Sequence, residues 1–337
     1  MLLAIIIILG VAFILYTVLG GADYGAGIIE TFAGKRGEKT ISKALAPVWE
    51  ANHVWLILAI VILFTGFPRV YATISTALHI PLMVVLIGIV LRGSFFTFRH
   101  YDIGEVGTHR YYTAIFKVSS FVTPFFLGIT LGAMILGKIS LSTSGSFYAQ
   151  YVAPWFNMFC LAMGVFSTLL FGYIASIFLI GETHHSAERQ RYVRLSKLFL
   201  VLTFGVGILV FVLAEFENHP VYTAFFNSWP SLLSFAGVLL LIPVILYLVN
   251  HPQIIYLRLA IGAQVALIMV GWFAIQFPIL VYERNGNHLT FYNTQAPDAT
   301  LFQLLVALFV GLLLVVPCFF FLFKVFKPAT DEHRVKS

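Results

Sequence analysis

Residues 47–64 read PVWEANHVWLILAIVILF. From Trp55 onward the stretch is unbroken apolar sequence of the kind that crosses a bilayer as a helix. Its first turns nevertheless carry Glu50, Asn52 and His53. A carboxylate in hydrocarbon is costly, so intramembrane acids usually face protein or a water-filled path. This one stretch therefore predicts both a membrane helix and a polar function at one of its ends.

The rest of the chain follows the same pattern. Of its 337 residues, 60% are hydrophobic and 10% charged, and the mean hydropathy is +0.95. A soluble domain carries about 25% charged residues, so the composition excludes one and predicts an all-α polytopic membrane protein. Apolar runs of about 20 residues mark spans. They fall at 2–28, 48–67, 73–96, 115–137, 154–180, 196–215, 231–249, 255–280 and 301–325. Nine helices in a single transmembrane domain, 1–327, are expected, with a polar cytoplasmic tail over 328–337. MLLAIIIILG at the start lacks a basic segment and reads as the first span, not a cleaved signal.

Basic residues orient the spans. Lys35, Arg36, Lys39 and Lys43 follow span 1; Arg99 and Arg110 follow span 3; Arg189, Arg191, Arg194 and Lys197 follow span 5; Lys324, Lys327, Arg334 and Lys336 follow span 9. The opposite loops hold only Arg69, Lys138 and Arg284. By the positive-inside rule the N-terminus lies outside and the C-terminus in the cytoplasm. The pI near 9.3 thus reports topology, and no nucleic-acid partner is expected. Segments 215–230 and 282–299 should lie outside, with aromatic residues suited to the interface. Span 1 ends GAGIIE and span 5 ends IFLIGE, each before a basic loop. A four-span offset would make a parallel repeat of 1–137 and 154–280: two four-helix bundles plus one peripheral helix.

Pro47 suits the first turn of span 2. Glu50 and His53 are three apart and share a face. Glu50 could satisfy the helix N-terminus and its dipole, or it could be a proton-accessible carboxylate; the two roles are compatible. Span 1 carries Asp23 within GGADYGAG, beside the Gly21–Gly25 spacing that allows close helix approach. Asp23 and Glu50 come at comparable depth on consecutive helices, where they could pass protons inward or, for Asp23, reach the interface. Arg92, near the inner end of span 3, could snorkel or pair with either acid. His79, before Pro81, reads as a packed residue, and His184 and His185 as part of a solvated basic loop. Cys160 and Cys318 lie alone, without CxxC or CxxCH. No span presents histidines four or seven apart, and no Walker motif, selectivity filter or dinucleotide loop is seen.

With these residues read, a family likeness can be stated. APVWEANHVWLILA (46–59) resembles the second-helix signature of subunit II of the cytochrome bd-type quinol oxidases, a pattern like P-x-W-D-G-N-x-V-W-L. GGADYGAG (20–27) resembles that subunit's first-helix signature, D-G-F-D-x-G-x-G. The basic loop between them, FPRVYA (67–72) and the arginine-bearing end of span 3 also agree. The likeness is strongest over 10–105 and rests beyond that on length, span count and topology. Two positions depart. Glu50 and Ala51 stand where the pattern has Asp and Gly, which keeps the carboxylate but moves the charge. Gly20 stands where the first Asp would be, leaving Asp23 as the motif's acid.

The resemblance implies a holoenzyme in a bacterial or archaeal cytoplasmic membrane that oxidises quinol near the outer surface and reduces O2 to water. Protons come from the cytoplasm, so turnover generates a membrane potential. Two b haems and one d haem belong to a partner, subunit I. This chain would be the non-haem half: a scaffold that binds no haem itself, contributes to proton entry, admits a structural quinone and contacts lipid and small single-helix accessory subunits. Glu50, Asp23, Asn52 and His53 are the expected proton path, with Arg92, Trp49 and Trp55 as structural or charge partners. The competing class is a secondary transporter with an intramembrane carboxylate site, which would place polar residues at mid-membrane in both halves. A purely structural assembly subunit is the second alternative.

Overall fold

The computed structural model describes residues 1–46, 49–101, 106–140, 146–183, 185–217, 221–251 and 253–326. The tail expected at 328–337, with Pro47 and His184, lies outside them. Among the described residues nine helices are long and apolar enough to cross a membrane: Leu2–Gly34, Trp49–Gly66, His79–Arg99, His109–Ile135, Met158–Ile180, Ser186–Phe216, Trp229–Val249, Ile254–Gln276 and Asp298–Leu322. They are spans 1 to 9 below. Their outer faces are apolar, with Ile57, Phe64, Leu86, Val201, Leu240 and Phe309 all exposed, as a lipid-facing surface requires.

Span 1 is longer than expected and is not one uniform helix. Tyr16–Gly20 winds as a π-helical turn, and the helix breaks at Gly34, whose φ of 70° is left-handed backbone that glycine adopts without a Cβ clash. Span 3 starts at His79, not 73, because Pro68–Ala77 forms a separate helix. Val70, Thr73, Ile74 and Ala77 of that helix are buried at the helical spacing of one apolar face. Pro68 opens it at a position where a missing N–H costs nothing. Span 6 starts at Ser186, not 196, since its charged first turns continue the helix beyond the apolar stretch. Span 8 ends at Gln276. Ile279–Val281 (β1) leaves it to pair antiparallel with Leu289–Thr290 (β2).

This hairpin and the chain after it cap one end of the spans. Tyr282 N–H donates to the Met134 carbonyl and Arg284 N–H to that of Ile139. Ala296 N–H donates to the Gly66 carbonyl at 2.8 Å, and Phe291 meets Phe67 edge to face. The end of span 2 is thereby tied to the start of span 9.

Spans 1, 4 and 5 pack mutually at the centre. Span 3 lies on span 4, span 6 on span 5, span 7 on span 8, span 2 on span 1 and span 9 on span 2. Small residues set the central contacts. A Cβ built on Gly25 would fall 1.9 Å from the Phe171 carbonyl oxygen, and one on Gly164 would fall 2.7 Å from that of Phe125. Spans 1 and 5, and spans 4 and 5, therefore meet backbone to backbone, which is how membrane helices gain van der Waals contact. The partner predicted by the Gly21–Gly25 spacing is span 5. Two apolar clusters fill the interior. One surrounds Ile5, Ile62, Phe67 and Phe291; the other surrounds Tyr24, Trp55, Phe96 and Phe116, and the charged residues described next are embedded in it.

Candidate functional site

The π-helical turn delivers Asp23 to the interior of the molecule, three residues beyond Gly20. The Asp23 side chain is fully enclosed, as is that of Arg92 on span 3. Arg92 Nη2 donates to Asp23 Oδ1 and, at 3.2 Å, to the Asp23 carbonyl. The pairing reading of Arg92 is therefore the one the geometry supports, and the arginine does not snorkel. The guanidinium also lies over three rings, with its carbon 5.4 Å from the centroid of Tyr24, 5.9 Å from Phe96 and 5.3 Å from Phe116. These contacts add cation–π attraction in an enclosed setting.

Asp23 Oδ2 is left without a protein partner. His53 on span 2 brings its Nε2 within 4.0 Å of this oxygen. His53 packs on Tyr16 and Tyr24, with ring centroids 6.4 and 5.8 Å away, and its Nδ1, with Nε and Nη1 of Arg92, is likewise buried without a hydrogen-bond partner among the described residues; the two tyrosine hydroxyls are buried neighbours of one another. Isolated buried polar atoms are uncommon, and nearly all pair with protein or ordered water. A concentration of them in one place marks a polar pocket suited to water.

Span 2 supplies the other expected residues. Asn52 is buried, and its Nδ2 donates to the Leu19 carbonyl at 3.3 Å. Leu19 lies inside the π-helical turn, so Asn52 braces the irregular backbone that presents Asp23. Trp49 packs on Phe96 at 5.8 Å and against Gly93. Trp55 stacks on Phe319 of the last helix at 5.7 Å. Glu50 sits apart from this group: it is exposed, its carbonyl accepts from His53 N–H at 3.2 Å, and its carboxylate has no ion pair or hydrogen bond among the described residues. Asp23, His53, Asn52 and Arg92 are thus brought together, while Glu50 lies on the surface of the chain.

A second charged group, not anticipated from sequence, lies two helical turns along span 1. Arg99 Nη1 donates to Glu30 Oε1 at 2.7 Å, and Lys117 Nζ is 3.6 Å from the same oxygen. Asp23 and Glu30 are seven residues apart, as are Arg92 and Arg99, so the two pairs repeat with one register. That seven-residue spacing in both spans was the available signal. In the sequence alone Glu30 marks the end of span 1 and Arg99 is a charge of the loop after span 3.

Elsewhere, Tyr173 OH donates to Gln264 Oε1 at 3.1 Å, joining spans 5 and 8. A largely apolar cavity of about 1680 Å³ runs along spans 1, 3, 5, 6, 7 and 8, with Tyr173, Gln264, Thr203 and Trp272 among its walls. His79 packs on Tyr151 with Nδ1 at 2.9 Å from the Thr76 carbonyl oxygen. No group of three or more His, Cys, Asp or Glu is placed to hold a metal among the described residues.

Comparison with known proteins places this geometry in context. Residues 1–326 match the family model described as cytochrome bd terminal oxidase subunit II. The chain is 26% identical over 206 residues to the cytochrome bd ubiquinol oxidase subunit 2 of Bacillus subtilis (strain 168), covering 59% of this chain and 60% of that protein. A second protein of that organism, provisionally named cytochrome bd menaquinol oxidase subunit II, is 27% identical over 343 residues, covering 96% of this chain and 95% of its own length. The cytochrome bd-I ubiquinol oxidase subunit 2 of Escherichia coli (strain K12) is 28% identical over 166 residues, covering 48% and 43%. The fold is similar to a chain in the structure of bd oxidase from Geobacillus thermodenitrificans, with a TM-score of 0.79 at 20% identity, covering 97% of this chain and 98% of that one.

Proposed function

This chain belongs to the cytochrome bd terminal oxidase subunit II family, and from that premise we propose that it is the non-haem subunit of a quinol:O2 oxidoreductase that delivers cytoplasmic protons toward the site of oxygen reduction. The observation that carries the reading is the asymmetry of Asp23. One carboxylate oxygen is clamped by Arg92; the other is buried without a hydrogen-bond partner among the described residues and faces His53 across 4.0 Å. The clamp fixes the carboxylate in place, and the open oxygen is the one that exchanges a proton through water. His53 passes protons to it, and Asn52 holds the turn that aims it. Glu50, exposed on span 2, collects protons at the mouth of this path beside the partner subunit.

The chemistry of oxygen reduction belongs to haems in that partner, subunit I: two of b type and one of d type. The basic loops support an N-terminus outside and a C-terminus in the cytoplasm, in a bacterial or archaeal cytoplasmic membrane. With protons taken from that side, turnover generates a membrane potential. The apolar cavity of about 1680 Å³ supports a structural quinone, since cavities of about 300–1,000 Å³ already hold ligands of drug size. Lipid and small single-helix subunits would cover the remaining apolar faces. The nine spans read as two four-helix bundles and a peripheral ninth, with 1–137 and 154–280 as a parallel repeat. The direct contact of span 1 with span 5 supports this, because equivalent helices meet at a pseudo-twofold axis.

The test is oxygen consumption by the purified two-subunit complex with Asp23→Asn or Glu50→Gln in this chain. Slowed turnover with haem content intact is expected. Unchanged turnover from both variants removes the proton role and leaves a scaffold. A complex that purifies without haem and moves a solute instead returns the transporter reading.

A further inference from the structure

The second charged group continues outward, and its members become steadily more exposed. His109 Nδ1 lies 3.9 Å from Glu38 Oε1, with side-chain exposures of 45% and 24%. Thr113 Oγ1 donates to the same Glu38 oxygen at 3.2 Å. Arg99 Nη1 is 3.9 Å from Glu38 Oε1 and 2.7 Å from Glu30 Oε1, with exposures of 3% for Arg99 and 0% for Glu30. Lys117, at 27%, flanks Glu30 from span 4. An unbroken series of titratable or charged groups therefore leads from solvent to a fully enclosed carboxylate, no step longer than 3.9 Å. At the inner end, Glu30 Oε2 and Arg99 Nη2 are buried without protein partners among the described residues.

We infer that Glu30 is a second proton-loading carboxylate of this subunit, filled from the basic end of the molecule through His109 and Glu38 independently of Glu50. The inference rests on the proton-delivery reading above and adds a separate entrance to it. A static rivet between spans 1 and 3 would need only Glu30 and Arg99. It would need neither the graded run to the surface nor an acceptor oxygen left open at the buried end.

Arg99 makes the loading step electrostatically tractable. It lies between two carboxylates, bonded to Glu30 and within reach of Glu38. When a proton leaves water for His109 or Glu38 and moves through ordered water to Glu30 Oε2, Glu30 becomes a neutral acid and Glu38 returns to the anion. Arg99 then takes Glu38 as its counter-ion. No other bond is broken, and the group carries one extra positive charge while loaded. Beyond Glu30 the route meets Phe116, whose ring centroid is 4.5 Å from the Arg99 carbon and 5.3 Å from that of Arg92. Phe96 flanks the same two cations. Asp23 lies two helical turns away, about 10 Å along the axis, too far for direct transfer. Loading at Glu30 and delivery at Asp23 are thus separate steps divided by an aromatic partition.

The decisive measurement is proton uptake from solution, followed with a pH dye, after reduced holoenzyme in proteoliposomes is mixed with oxygen. Haem spectrum and haem content serve as assembly controls. Glu30→Gln should remove the fraction of uptake that this entrance carries and leave the fraction entering by Glu50, and Glu38→Gln should slow the same fraction by about two- to fivefold, since His109 still reaches water beside it. Both should retain wild-type haem content. Wild-type uptake in both variants overturns the inference. If Glu30→Gln fails to assemble, Glu38→Gln decides alone, and unaltered uptake again overturns it. Slowing by Asp23→Asn or Glu50→Gln with normal uptake in Glu30→Gln and Glu38→Gln would refute this entrance and leave the proposed function standing. Normal uptake in all four would refute both.

Discussion

The two halves of the membrane domain solve the same packing problem with different chemistry. In the first half, spans 1 and 3 are joined by two full ion pairs, Asp23–Arg92 and Glu30–Arg99, each between residues 69 apart. In the second, spans 5 and 8 are joined at depth by a neutral contact, Tyr173–Gln264, with Gln264 donating onward to the Val238 carbonyl of span 7, and carry an ion pair, Arg258–Glu182, only at their partly exposed ends. Helix cohesion inside a membrane needs no charge, and interhelical hydrogen bonds of the second kind suffice. Buried ion pairs are a poor route to stability, because desolvation offsets most of their attraction. The enclosed ion pairs seen among the described residues, both in the first half, are therefore better explained by what they do than by what they hold together. Their placement also disfavours a transporter, whose coupling groups would sit at corresponding places in both halves.

That contrast can be broken in several ways. The largest effect should come from Arg92→Leu. It leaves the Asp23 carboxylate buried and uncompensated, a loss of about 3–5 kcal/mol, and the complex should assemble poorly in a blue-native gel. The double variant Asp23→Asn with Arg92→Gln removes both charges. Its assembly and haem content should recover while oxygen consumption stays slow. Full recovery of turnover would show that the pair is structural only.

Next comes Gly25→Ala, which acts at the junction of the halves. Its new methyl would sit 1.9 Å from the Phe171 carbonyl oxygen, forcing spans 1 and 5 apart at about 1–3 kcal/mol. A lowered Tm of the complex with an intact haem spectrum is expected. Gln264→Leu should cost less, about 1–2 kcal/mol for the unpartnered Tyr173 hydroxyl, with oxygen consumption unchanged. Activity lost on this change would erase the distinction between the halves. The smallest effect should be Trp55→Phe, which keeps the ring stacked on Phe319 and should cost under about 1 kcal/mol in thermal unfolding.

The spans were legible because hydrocarbon imposes length and composition together. Their limits were less so where the helix outruns the apolar stretch, as at Ser186, or where a second amphipathic helix precedes it, as over Pro68–Ala77. Asp23, Asn52 and His53 announced themselves as polar residues in apolar surroundings. Whether Arg92 reaches the interface or a carboxylate depends on how span 3 is rotated, which spacing within span 3 alone does not determine. Glu30 was masked by its place near a helix end, where an acid needs no special explanation. Only the tertiary pairing with Arg99 and Lys117 shows it to be enclosed. Tyr16 and Tyr24 read as ordinary aromatic residues in the sequence, because the enclosure of a hydroxyl is a property of the packing around it.

The π-helical turn at Tyr16–Gly20 has a geometric corollary. Such a turn amounts to one residue added to an α-helix, and one residue corresponds to about 100° of rotation about the axis. Straightening the turn into regular α-helix with every residue kept would swing Asp23 and Glu30 together to another azimuth, away from both arginines, whereas excising one residue at the same time would return them. The alignment of the whole charged register with span 3 thus hangs on the widened turn absorbing one residue.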